Sequence, residues 1–331
     1  MNDLKFDRRV LVKTMAAAVA ALTLSSAGPA AAETVEKIHF LIPGGAGGGW
    51  DGTARGTGEA LTKSGLLGQA SYENMSGGGG GKAIGWLIAN GDRNHGTLMV
   101  NSTPIITRSI TKVFPYSYRD LTPIAATIGD YGVLVVAADS PYKNFGDVLA
   151  AFKKNPRSIK VAGGSVKGDL DHLVAASVFQ AAGEDPTKVA YIPYDAGGKA
   201  LAGLLSGETQ VLSTGLGEAL EQAKAGQIRI LGVTAPERVA GTDDVPTFKE
   251  QGYDVNFVNW RGFFGPPGLP ADQRKSYQEM LEAMYKQPAW EEVRARNGWA
   301  NIFKPGPEFI SFLQEQEKSV RALRASLGFS D

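Results

Sequence analysis

The chain has 331 residues, 34 basic and 34 acidic, with 42 glycines and no cysteine. So even a balance leaves no basic patch of the kind nucleic acid requires. Without disulfides the chain must rely on a large core, and roughly 300 residues supply one, as two domains.

At the start, Lys5, Arg8, Arg9 and Lys13 precede the apolar run TMAAAVAALTL, which is too short to span a bilayer. Ala30 and Ala32 form an A-x-A site ahead of Glu33, so residues 1–32 read as a secretory signal. Arg8-Arg9 before VLVK faintly resembles a twin-arginine signal. Residues 1–32 carry four basic and two acidic side chains, so the processed chain keeps 30 basic against 32 acidic, near neutrality. No later run of 18 apolar residues follows. An exported, soluble, periplasmic protein is expected.

Residues 37–43 (KIHFLIP) read as a buried strand, and a glycine loop then leads into a helix from residue 51, with Asp51 as its N-cap. A second strand (69–74), a glycine run and a helix (82–91) follow, then a third strand (97–102) and a long β-rich stretch (122–138). A second series places helices at 145–155, 169–183, 197–207 and 217–226, alternating with strands at 158–164, 188–194, 209–214 and 228–235. Residues 241–255 are turn-rich, and 271–328 read as strongly helical. Such alternation implies open α/β sheets with ligands beyond the carboxyl ends of the strands. Five glycine-rich or polar loops occupy that place: 44–51, 76–81 (with Gly77 and Gly78), 101–104, 163–169 and 195–198. One cleft between two domains is the expected result.

The segment GGAGGGWDGTARG, residues 44–56, holds seven glycines in thirteen positions. Glycine is costly to order, so the backbone here must approach something closely. Gly47-Gly48-Gly49-Trp50-Asp51-Gly52 matches the dinucleotide pattern G-x-G-x-x-G, with Glu73 about 21 residues beyond Gly52, near the spacing of the ribose-binding acid. Export to a compartment poor in NAD, and a carboxylate beside the pyrophosphate, argue against it. SGGGGGK fails as a P-loop, because Ser76 replaces the first glycine and Ala83 the magnesium-binding hydroxyl. Only His39, His95 and His172 are present, without metal-ligand spacing, and no nucleophile motif occurs. Neither a metal, a cofactor nor catalysis is called for. What remains is anion recognition by backbone N–H groups at helix N-termini, at 44–51 and 163–169, with a carboxylate as the expected anion.

In order along the chain, IPGGAGGGWDGTARG, YENMSGGGGGKAIG, VAGGSVKGDLDHL, YIPYDAGGKALAGLLSGE, AGQIRILGVTAPER, DVPTFKEQGYDV and WRGFFGPPGLPADQ resemble the TctC or Bug-type periplasmic receptors of tripartite tricarboxylate transporters. The resemblance spans essentially the whole processed chain. It implies a type II-like periplasmic binding fold, two α/β domains joined by hinge strands with the ligand cleft between them. The domains would be 33–135 plus 251–331, and 136–250. It implies no enzyme activity and no cofactor. The ligand would be a small carboxylate, with citrate first because the GGGWDGTARG and NWRGFFGPPG versions resemble the tricarboxylate binders, and the partners two membrane subunits of a transporter. Ligand contacts are expected from Gly47, Gly48, Gly49, Trp50, Gly77, Gly78, Ser102, Thr103, Ser165, Lys167, Gly168, Asp169, Tyr194, Asp195 and Arg261. Asp169 stands where the family commonly has serine. Asp51 and His172 are expected to be structural, through capping or packing. The rival reading is an NAD(P)-dependent oxidoreductase using Gly47–Gly52.

Overall fold

The structure, a computed structural model, describes residues 35–329, so the expected signal segment, 1–32, lies outside the described residues. The first half of the chain runs β1 (Val35–Ile42), α1 (Gly49–Lys63), β2 (Leu67–Asn74), α2 (Gly81–Ala89), β3 (Thr97–Ser102), α3 (Thr103–Ile110) and β4 (Thr122–Ala137). Then come α4 (Phe145–Lys154), β5 (Lys160–Gly163), α5 (Leu170–Ala181), β6 (Ala190–Pro193), α6 (Gly197–Leu205), β7 (Val211–Gly215), α7 (Leu216–Lys224) and β8 (Ile228–Val233). The chain ends with β9 (Val258–Gly265), α8 (Ala271–Met284), α9 (Pro288–Arg296), β10 (Ala300–Pro305) and α10 (Gly306–Ser326).

These strands build two sheets that share β4. In the first, β2, β1 and β3 are parallel, and β9 lies antiparallel between β3 and β4, with β10 also antiparallel to β4. In the second, β6, β5 and β7 are parallel, and β4 runs antiparallel to both β7 and β8. The exchange falls at Tyr131, which pairs with Val258 in the first sheet, and Gly132, which pairs with Gly215 in the second. The returning chain is pinned at the same place. Thr234 donates its N–H to the Gly132 carbonyl at 2.8 Å, and its hydroxyl accepts the Gly132 N–H at 3.0 Å while donating to the Phe257 carbonyl. A side chain at Gly132 would strike Val174 at 2.6 Å, so only glycine fits this junction.

Alternation along β4 explains why it reads as one apolar run. Val133 and Val135 join a core with Leu212, Leu216 and Ala200, while Leu134 and Val136 face Phe145, Phe152, Phe179 and Phe248 on the other side. Strands covered on both faces lose the polar alternation. The first sheet has its own core of Leu41, Met99, Ile105, Trp260, Phe264 and Phe309. Each such fully buried side chain contributes roughly 1.5–3 kcal/mol.

Several expectations need correcting. Helix α1 begins at Gly49 with Gly48 as N-cap, so Asp51 is its third residue and not the cap. The segment 103–110 is a helix, with Pro104 in its first turn, where a missing N–H does no harm. The expected helical run 271–328 is interrupted by β10, which pairs with β4 after a turn at Gly298 (φ +62°). No helix among the described residues is long and apolar enough to cross a membrane.

Candidate ligand-binding site

All five loops named from the sequence converge on one cavity of about 170 Å³ between the two sheets. That is below the 300–1,000 Å³ of sites for drug-sized molecules, and suits a small ligand. The first sheet contributes Pro43–Gly45 and Gly48–Trp50, Ser76, Gly77, Gly79, Gly80, Ser102, Arg108, Asn259 and Arg261. The second contributes Gly164–Val166, Leu170, Asp171, Tyr194–Gly197, Thr214 and Glu218.

The glycine loop lies against Trp50, whose ring would meet a Cβ at Gly44 at 3.0 Å. Trp50 donates its indole N–H to Ser102 Oγ at 2.9 Å, and the Arg108 guanidinium lies 5.6 Å from the ring centroid, a cation–π distance. Behind the loop, Asp51 Oδ2 accepts the Gly47 N–H at 3.0 Å and Oδ1 accepts Arg55 Nε at 2.9 Å and Asn74 Nδ2 at 3.1 Å. Asp51 thus closes the loop from inside the helix.

Two buried arginines reach the cavity, and both are already paired. Arg108 Nε meets Asp169 Oδ2 at 2.5 Å, its Nη1 donates to the Gly79 carbonyl, and Thr107 Oγ1 donates to the other Asp169 oxygen. Arg261 Nη2 meets Asp130 Oδ2 at 2.8 Å and Nη1 donates to Thr53 Oγ1 at 3.2 Å, with Glu218 Oε1 3.9 Å away. Asp130 Oδ1 in turn accepts the Gly217 N–H at 3.2 Å. Glu218 also accepts the Thr214 hydroxyl at 2.9 Å and the Gly49 N–H. Protein carboxylates therefore hold several of the helix N-termini that line the cleft.

Titration follows from this packing. Burial first, and then the Glu218 charge, push the Asp171 carboxyl up to about 7, against a hydroxyl bond from Ser165. Burial also raises Glu218 above the ordinary carboxylate range, opposed by Arg261. Burial, aided by the Lys167 charge, lowers His172 to about 4, so its ring is neutral. Its Nδ1 accepts the Gly168 N–H at 2.9 Å, and the ring stacks on Tyr191 at 4.5 Å.

Of the residues expected from the sequence, Gly48, Gly49, Trp50, Gly77, Ser102, Ser165, Tyr194, Asp195 and Arg261 line the cavity. Gly47, Gly78, Thr103, Lys167, Gly168 and Asp169 are not among its lining residues. Lys167 is exposed and Thr103 buried. Gly168 gives its N–H to His172 and its carbonyl to Arg324. Asp169 occupies the N-cap position of α5 without capping it, because its carboxylate is turned to Thr107 and Arg108. Sequence reasoning missed Arg108, Asp171, Glu218 and Asn259. Glu218 was visible as an acid in the first turn of a helix following a strand; Arg108 lay in a segment given no element.

Residues 54–329 match the family described as the Tripartite tricarboxylate transporter family receptor. The chain belongs to that family. It is a periplasmic solute-binding protein of the TctC and Bug type, and not an enzyme. A UPF0065 protein of Bordetella bronchiseptica is 29% identical over 317 residues, covering 95% of this chain and 92% of its own. Among solved structures, MatC from Rhodopseudomonas palustris with bound malate superposes with a TM-score of 0.74 at 20% identity, covering 88% of this chain and 99% of its own. An R. palustris protein with adipate gives 0.78 at 18% identity, covering 89% and 98%. These likenesses bear out the expected two-domain α/β binding fold. The oxidoreductase reading of Gly47–Gly52 falls with the family assignment. The geometry agrees, because Asp51 and Glu218 already hold the N–H groups a pyrophosphate would need.

Proposed function

We propose that this receptor captures a small di- or tricarboxylate, with citrate the first candidate, and delivers it to two membrane subunits of a tripartite tricarboxylate-type transporter. The supporting observation is the cavity itself: glycine loops and helix N-termini from both sheets face one small volume between them. Similarly folded proteins with malate and adipate support the ligand class. We take the domains as 33–135 plus 251–331, and 136–250, closing on the ligand about the Tyr131–Gly132 and Thr234–Phe257 crossings. Residues 1–32 serve as the export signal. Within the cavity, Gly77 and Ser165 supply donors, Gly48 and Gly49 let the backbone come close, Trp50 and Tyr194 wall the ligand, and Arg261 supplies positive potential.

A thermal-shift screen of the chain from Glu33 onward tests this, with citrate, malate, adipate, amino acids and NAD. A true ligand at a hundred times its Kd adds about 2.7 kcal/mol of stability. A shift with citrate or another di- or tricarboxylate is expected. Silence from every carboxylate, with a response to an amino acid or NAD, would sink the proposal.

A further inference from the structure

The cavity is short of free positive charge. Arg108 is matched by Asp169, and Arg261 by Asp130 with Glu218 close by. Asp171 shares the same cavity wall and, among the described residues, makes no ion pair. A dianion entering this space would add its charges to a wall that already holds one more acid than the arginines can balance, and a second in Asp171. Like charges brought together out of water repel strongly unless one of them takes a proton.

Every group facing Asp171 narrows where that proton goes. Glu218 on α7 keeps two donors, Thr214 and the Gly49 N–H, and the nearby Arg261, all of which favour its ionised form. Asp169, the N-cap residue of α5, which carries Asp171, is locked to Arg108 and Thr107 from α3. Tyr191 on β6 already gives its phenolic proton to the Ser165 carbonyl, and His172 beside it is neutral. Asp171 has the Ser165 hydroxyl and only the charge of Arg108, which is already paired with Asp169, so it is the least supported anion in the cleft.

Resting on the carboxylate reading above, we propose that Asp171 contacts the ligand as the neutral acid, donating a hydrogen bond to a ligand carboxylate, so that capture of a dianion takes up close to one proton. The bond formed is an acid O–H to a carboxylate oxygen, and the proton comes from solvent. Asp171 then acts as a selectivity residue. It favours ligands that present a carboxylate to it, and it couples affinity to periplasmic acidity.

The test is isothermal titration calorimetry on the processed chain with citrate, malate and L-aspartate, in phosphate and in Tris at pH 7.5 and 8.5. Expected is proton uptake on binding malate or citrate, read from the buffer dependence of the heat, with Kd weakening by up to about tenfold over that pH unit. Asp171→Asn keeps a neutral donor, so it loses the uptake and the pH dependence and binds more tightly than the wild type at pH 8.5. Asp171→Ala lacks the donor and binds more weakly than Asp171→Asn at both pH values. Carboxylate binding without proton uptake, or uptake that persists in Asp171→Asn, overturns this inference alone. Preference for L-aspartate with proton release also overturns it, since Asp171 would then face an ammonium group. No heat with any carboxylate overturns the carboxylate reading itself.

Discussion

Two neighbouring residues carry opposite titration histories, and together they shape the protein's response to pH. Asp171 holds its proton up to about pH 7 in the folded chain, against an ordinary 3.8. Between those values the folded state binds the extra proton, so stability falls as pH rises through the window. His172 behaves in reverse: its folded value near 4 lies below 6.5, so stability is lost as pH falls from 6.5 toward 4. Asp171→Asn removes the first slope and exposes the second. Urea denaturation should find the variant more stable than wild type at pH 8 by about 2–4 kcal/mol, the size of a three-unit shift, with the gap closing toward pH 4. Equal stability at pH 8 would mean that Asp171 ionises freely in the cleft. None of this was legible in GDLDHL, where Asp169 drew attention and Asp171 did not. Both are acids at a helix start, and only the fold decides that one meets Arg108 while the other faces the ligand space. Trp50 and Arg261 were readable as site residues because they interrupt small-residue or aromatic motifs, whereas Glu218 looked like any first-turn acid.

Among the elements, the parallel strands were the easiest to read. Their apolar runs are local, and Thr97–Ser102 was located to the residue. The unread elements depend on partners far away in sequence. β9 exists because Val258–Gly265 threads between β3 and β4, and β10 because Ala300–Pro305 finds an edge of β4. No local periodicity announces either. The glycine loop shows how finely α1 is fitted to this frame. A methyl group at Gly49 would stand 2.0 Å from Arg261 Nη2 and 2.6 Å from Glu218 Oε1. Asp130 and Thr53 anchor the arginine, so it cannot simply swing aside. Gly49→Ala is therefore expected to cost about 1–3 kcal/mol by overpacking and to abolish tight binding. Gly52, exposed and three residues along the same helix, has open space where a Cβ would go. Gly52→Ala should raise stability by about 0.5–1 kcal/mol through helix propensity alone. Urea midpoints of the two variants decide the matter, and equal behaviour would show that the crowding at Gly49 is relieved elsewhere.

At the scale of the whole molecule, the question is what holds the cleft shut. Arg108 follows β3 of the first sheet and Asp169 follows β5 of the second, so their buried pair spans the opening, reinforced by Thr107. Arg261 faces Glu218 across the same gap at 3.9 Å. Such a pair stabilises the closed arrangement without ligand, and a ligand shifts the balance only through contacts that the open form lacks. Removing one partner leaves the other charge buried and alone, a situation worth about 3–5 kcal/mol in a rigid core. A two-domain molecule can avoid that penalty by opening and rehydrating the orphan. Arg108→Ala should therefore leave the two cores intact while favouring the open form. Small-angle scattering should show a larger radius of gyration without ligand, returning to the wild-type value at saturation. Ligand affinity should drop about 10- to 100-fold, because part of the binding energy is spent on closure. Asp169→Asn leaves Arg108 its bond to the Gly79 carbonyl and should open the molecule less. If both variants scatter and bind like the wild type, the Arg108–Asp169 pair is not a latch, and closure rests on the Arg261 and Glu218 side of the cleft.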